Sequence, residues 1–275
     1  MEFLSGNNDV GTLGLGLLIA GTAAGLFSGM LGCGGGLILV PVLYHVLGAL
    51  GVSEALRLHL AAGTTLAALL PMMLAALNTH VKAKTVDTAL VKRWSAPLVL
   101  GVIGAAVLMT RLPVTWLAIL FAGVATVVAL LMLLGRDHWR VCAQPPHGIG
   151  GQLLPLGTGA LAMLMGISGA SVMTPLLRLS GSRLSSGTAV AFAAIVCAVG
   201  AVAGVVAGWD VHGLPAYSYG YVNLLGFGIV APVMYGASFI AAHYADDIEA
   251  KRPRASFALF VILIAGKMVW DVMGT

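Results

Sequence analysis

Apolar residues in this chain fall into long continuous runs separated by short polar or small-residue stretches, with no sustained alternation. Uncharged runs cover residues 12–31, 37–50, 60–77, 95–110, 114–134, 152–167, 171–180, 187–207, 221–242 and 255–273. A helix needs about 20 residues to cross the roughly 30 Å hydrocarbon core, and most of the runs reach or approach that length. In lipid every backbone polar group must bond internally, so only helices and closed barrels span. Continuous runs select helices over alternating barrel strands. The pattern predicts an all-α polytopic membrane protein with about 8–10 membrane segments.

Two runs, 37–50 and 171–180, are too short to cross alone. Each follows a break in small residues: Gly32-Cys33-Gly34-Gly35-Gly36 in one case, Gly166-Ile167-Ser168-Gly169-Ala170 in the other. These breaks disclose an internal repeat. Gly32, Gly35 and Pro41 stand 134 positions before Gly166, Gly169 and Pro175. Gly63-Thr64 then aligns with Gly187-Thr188, Pro97 with Pro232, and Gly101 with Gly236. The predicted organisation is a first transmembrane repeat over 1–135, a cytoplasmic linker over 136–151 and a second repeat over 152–275.

Composition agrees. Hydrophobic residues make up 59% of the 275, charged residues only 9%, against about 25% charged in a soluble domain. Lys and Arg collect in short cytoplasmic loops of membrane proteins. If 78–94 is cytoplasmic, eleven of the 14 basic residues fall inside, Arg57 and Arg111 fall outside, and Lys267 lies within the last helix. The first broken pair then starts and ends outside, and the second starts and ends inside. The two halves are therefore expected to be inverted repeats, each a broken helical hairpin plus three spanning helices, with both termini external. Residues 1–11 carry no positive charge, so no cleavable leader is expected. Cys33, Cys142 and Cys197 suggest no disulfide framework, and no nucleic-acid patch is formed by the net charge of +4.

The candidate chemistry lies at the breaks. Glycines disfavour continuous helix, and unwound backbone at membrane depth must be shielded by protein or line a watery cavity. A helix restarting at Leu37 presents unpaired N–H groups and the positive end of its dipole, an anion site made of backbone. Ser168, Ser171 and the following helix offer its counterpart. The candidate substrate-binding residues are Gly32, Cys33, Gly34, Gly35, Gly36, Thr64, Thr65, Gly166, Ser168, Gly169, Ser171 and Thr188. The two threonine stretches are expected at the start of the next helix in each half. Arg57 and Arg183 precede those helices and are candidates to attract anions at two entrances. His59, His80 and the pair Lys267 and Asp271, four apart on one helix face, are candidates for proton coupling. No phosphate loop, HExxH or CxxC is present, so neither a catalytic residue, a cofactor nor a metal is expected. The expected partners are a small anionic substrate and the lipid bilayer, without nucleic acid.

At GLFSGMLGCGGGLILVPVL (25–43), RLHLAAGTTLAALL with the later His80, GISGASVMTPLL (166–177) and GTAVAF (187–192), the chain resembles the sulfite exporter TauE/SafE family. The resemblance implies secondary transport of small sulfur-containing anions such as sulfite, sulfonates or sulfoacetate, in the export direction, across a bacterial plasma (inner) membrane. Ser168 and Ala170 depart from the family pattern, which has glycines there, and Thr65 replaces its common serine. A passive anion channel, a transporter of another small solute, and a membrane enzyme or accessory subunit are the competing readings.

Overall fold

The structure is a computed structural model, described over residues 7–32, 34–134, 148–179, 185–244 and 251–273. Among the described residues, α1 (Asn7–Leu31) and α2 (Gly36–Ala49) precede α3 (Glu54–Lys82), α4 (Thr88–Met109) and α5 (Val114–Leu134). Then α6 (Ile149–Met165) and α7 (Ala170–Leu179) precede α8 (Ser185–Ala207), strands β1 (Ser218–Tyr219) and β2 (Val222–Asn223), α9 (Leu224–His243) and α10 (Lys251–Met273). This is an all-α polytopic membrane protein: α3, α4, α9, Val114–Leu131 of α5 and Ser186–Ala207 of α8 are long and apolar enough to cross a bilayer. By contrast α2 and α7, with 14 and 10 residues, extend only about 21 and 15 Å at about 1.5 Å per residue.

Several helices outrun the uncharged runs that predict them. α3 begins at Glu54 instead of residue 60, and α4 at Thr88 instead of 95. Their extra turns carry Glu54, Arg57, Lys82, Lys92 and Arg93, long charged side chains of the kind whose stems can lie along a helix while the heads reach a polar interface. Two expectations are corrected as a result. Arg57 sits in the first turn of α3 and not ahead of it. Thr64 and Thr65 lie well inside α3, whereas Thr188 does lie in the first turn of α8.

Packing interleaves the two halves of the chain. α1 lies against α9, α6 against α4, α5 against α10, and α3 against α8. Apolar side chains gain little by leaving lipid, so close backbone approach at small residues holds such helices together. A Cβ at Gly25 of α1 would stand 2.5 Å from the Met234 carbonyl oxygen and 2.9 Å from the Ala237 Cβ. At Gly29 it would meet Ser238 and Ala241. The same register recurs on the other side, where Gly159 of α6 abuts Leu98 and Val102 of α4. Gly204 of α8 lies beside Gly63 and Gly200 beside Leu66, so α3 and α8 run antiparallel. The outer shell exposes Leu100, Val107, Val202, Val206, Phe239 and Leu263, the apolar surface a bilayer would solvate.

Candidate substrate site where two helix breaks meet

Each break is built by glycines in the left-handed region, which L-residues other than glycine avoid. Gly32 and Gly166 both have φ of 65°; Gly35 and Gly169 have φ of 63° and 79°. The restarts match atom for atom. Ile38 and Leu39 donate their N–H groups to the Gly35 carbonyl at 3.1 and 3.2 Å, and Val172 and Met173 donate theirs to the Gly169 carbonyl at 3.2 and 2.8 Å. No side chain caps α2. The amides of Gly36 and Leu37 thus emerge at the helix end without an intrahelical acceptor, as first-turn amides must.

The two breaks touch. A Cβ on Gly34 would run into the Ser168 hydroxyl, and one on Gly36 would lie 3.0 Å from the Ile167 Cα and 3.3 Å from the Gly166 carbonyl oxygen. On the far side Gly166 leaves no room against Ala62 of α3. Met73, three turns further along α3, brings its methyl to 4.0 Å from a Cβ on Gly34. The helix therefore runs past both breaks, with Thr65 one turn from Ala62. Ser168 and Thr65 are 1% and 0% exposed, and neither hydroxyl oxygen has a hydrogen-bond partner among the described residues. Gly34 needs a φ of 82°, but its counterpart Ser168 is not among the positive-φ residues, so a serine is accommodated there without strain. Ser171 is buried nearby. Cys33 lies outside the described residues.

Thr64 and Thr188 each make a contact that their spacing does not suggest. The Thr64 hydroxyl accepts the N–H of Asn223 at 2.9 Å, and the Thr188 hydroxyl accepts the N–H of Asp87 at 3.0 Å. Asp87 and Asn223 are themselves the caps of α4 and α9: their side chains accept from Leu90 N–H at 3.0 Å and from Gly226 N–H at 2.8 Å. Gly63 and Gly187 allow the approach, each closing onto the backbone of the same loop, at Tyr221 and Thr85. A pair of latches thus ties each half's third helix to the other half's connecting loop. Thr64→Val leaves the Asn223 amide buried and unpaired, and is expected to cost about 1–3 kcal/mol. The Asp87 amide is only partly buried, so Thr188→Val should cost less. Thermal unfolding of the two variants in one detergent checks both the sign and the order.

Arg57, His59 and His80 each have contacts of their own. Arg57 donates Nε–H to the Val52 carbonyl at 2.7 Å, with its guanidinium 6.0 Å from the Tyr44 ring centre, and so pins the α2–α3 turn. The ring of His59 packs 5.1 Å from that of Tyr221, and its Nε2–H donates to the Met109 carbonyl at 2.9 Å. His80 is bonded through Nδ1 to the Thr85 hydroxyl at 2.8 Å in the α3–α4 turn. Lys267 is exposed on α10. The Asp271 side chain and Arg183 lie outside what is described.

Two short helices meeting tip to tip inside a polytopic bundle, each ending in unwound glycine-rich backbone, are the architecture of a membrane transporter. The comparisons with known proteins agree. The family model described as Sulfite exporter TauE/SafE matches residues 17–268. The chain belongs to that family and is a multi-pass membrane transporter. A Haemophilus influenzae protein named "Probable membrane transporter protein" is 28% identical over 262 residues, covering 91% of this chain and 96% of the relative. No solved structure matches.

Proposed function

We propose that the chain is a secondary transporter that exports a small sulfur-containing anion, such as sulfite, a sulfonate or sulfoacetate, by alternating access around the joined breaks. What carries the reading is the contact of Gly34 with Ser168, which brings the uncapped start of α2, the start of α7 and two unpartnered buried hydroxyls, Ser168 and Thr65, into one region. Helix N-termini and neutral donors suit an anion that only accepts hydrogen bonds. The match of Gly35 with Gly169, the antiparallel course of α3 and α8 and the paired latches support an inverted repeat of 1–135 and 152–275, joined by 136–151. The distribution of Lys and Arg supports external termini in a bacterial inner membrane. In such a repeat the outward and inward states are related by exchanging the conformations of the halves.

The test is uptake into proteoliposomes holding only the purified protein. Saturable counterflow of labelled sulfite or sulfoacetate, independent of ATP and responsive to a proton or potential gradient, is expected. Strict ATP dependence would refute the mechanism. Large unitary currents in planar bilayers would replace it with a passive anion channel.

A further inference from the structure

Among the buried polar atoms without a partner, the indole nitrogen of Trp94 stands apart. The hydroxyls of Ser168 and Thr65 can rotate and either give or take a proton, and the His59 nitrogen can accept. An indole N–H can only donate. Trp94 is 1% exposed, so water does not reach it from bulk. Its ring stacks on Phe192 with centroids 6.0 Å apart and planes 29° from parallel. An N–H lying in the ring plane is directed alongside such a partner, not into its face, so the stack fixes the indole without satisfying its proton.

Phe192 stands on the helix that meets the second break, one turn from the contact. Phe192 is four residues, just over one helical turn, before Val196, about 6 Å along α8. The Val196 Cγ2 lies 3.5 Å from where a Cβ on Gly169 would be, and Gly169 adjoins Ser168. The repeat provides no second copy. The alignment that pairs Pro97 with Pro232 puts Ile229 in the place of Trp94, and the one that pairs Gly187 with Gly63 puts Ala68 in the place of Phe192. The donor therefore exists on one side of the joined breaks only.

We propose that Trp94 is a substrate-contacting residue, its indole N–H donating to an oxygen of a small acceptor-only oxyanion held at the second break. The proposal rests on the reading of the breaks as the anion site. It adds a ring that is immobilised by Phe192 and belongs to a helix outside both broken hairpins. The anion at the break of the second half is then also held by a side chain of the first half.

Two variants test it, with sulfite, methanesulfonate and chloride as probes at constant ionic strength. In a single-tryptophan protein carrying Trp116→Phe, Trp139→Phe, Trp209→Phe and Trp270→Phe, Trp94 emission should change saturably with sulfite or methanesulfonate and not with chloride. Trp94→Phe keeps a stacking ring and removes the donor. It should weaken binding of the same anions at least about tenfold, the loss expected for a hydrogen bond to a charged group. If wild type binds and Trp94→Phe binds equally well, the role of Trp94 is overturned and the anion site stands. If wild type binds neither oxyanion, the site reading fails and takes this inference with it. Should Trp94→Phe not fold, the single-tryptophan protein decides: emission unmoved at concentrations that protect wild type against heat overturns the proposal.

Discussion

Gly34→Val is expected to weaken anion binding roughly 30-fold or more and to slow transport with it. The residue has a φ of 82°, where a side chain costs about 1–2 kcal/mol. Its new Cβ would be driven into the Ser168 hydroxyl, and forcing neighbours aside in a packed interior costs about 1–3 kcal/mol more. Each 1.4 kcal/mol is about tenfold in an equilibrium, so the joined arrangement of the tips should be depleted by roughly 30-fold or more. The neighbour most directly displaced is a side chain and not helical backbone, so membrane insertion and the helical circular-dichroism spectrum should be largely kept. Ser168→Gly removes the collision without relieving the φ strain, and the double variant should regain part of the binding. A double-mutant cycle on sulfite affinity should show a coupling of about 1–3 kcal/mol. Strict additivity would mean that the two breaks do not meet in the working protein.

The largest loss of stability is expected at the crossings of α1 with α9 and of α6 with α4. Gly25→Val places a Cβ 2.5 Å from the Met234 carbonyl oxygen, and Gly159→Val strikes the Leu98 carbonyl. A helical carbonyl cannot rotate out of the way, so the helices themselves must separate. Each substitution should cost at or above the upper end of the roughly 1–3 kcal/mol typical of overpacking. Both variants should give little monodisperse protein by size-exclusion chromatography, and to a similar degree, because the two crossings share one register. Gly104→Val is the control, since a Cβ there meets nothing within 4 Å, and its thermal midpoint should stay at the wild-type value. A well-behaved Gly25→Val protein would refute the close packing of α1 on α9.

The breaks are legible in the sequence because their cause is local. A left-handed φ and a missing Cβ select glycine, and Gly32, Gly35, Gly166 and Gly169 keep one spacing in both halves. The order of helices follows from apolar run length for the same reason. Helix ends read less well, since Glu54, Arg57 and Lys92 interrupt an uncharged run without ending the backbone hydrogen bonding. The latches are not legible at all. Thr64 next to Gly63 reads as a pore-facing hydroxyl or a helix back-bond, while its partner, the Asn223 amide, lies 159 residues away. The Asn223 side chain caps α9 and donates to Ala216 and Ser218, contacts that only the folded chain brings together. Trp94 carries no signal in the sequence; its burial against Phe192 and its unpartnered indole N–H distinguish it only in the structure.

The exchange of helices between halves bears on how the protein comes to be made. As synthesis proceeds from the N-terminus, α1 enters the bilayer with its Gly25 and Gly29 stripe uncovered, and nothing in the first half covers it. Its cover arrives only with α9, after α6, the second break and α8 have all been inserted. A ribosome product ending with α5 would be a set of inserted helices lacking the principal partners of α1 and α4, so α1–α5 do not make a unit of folding by themselves.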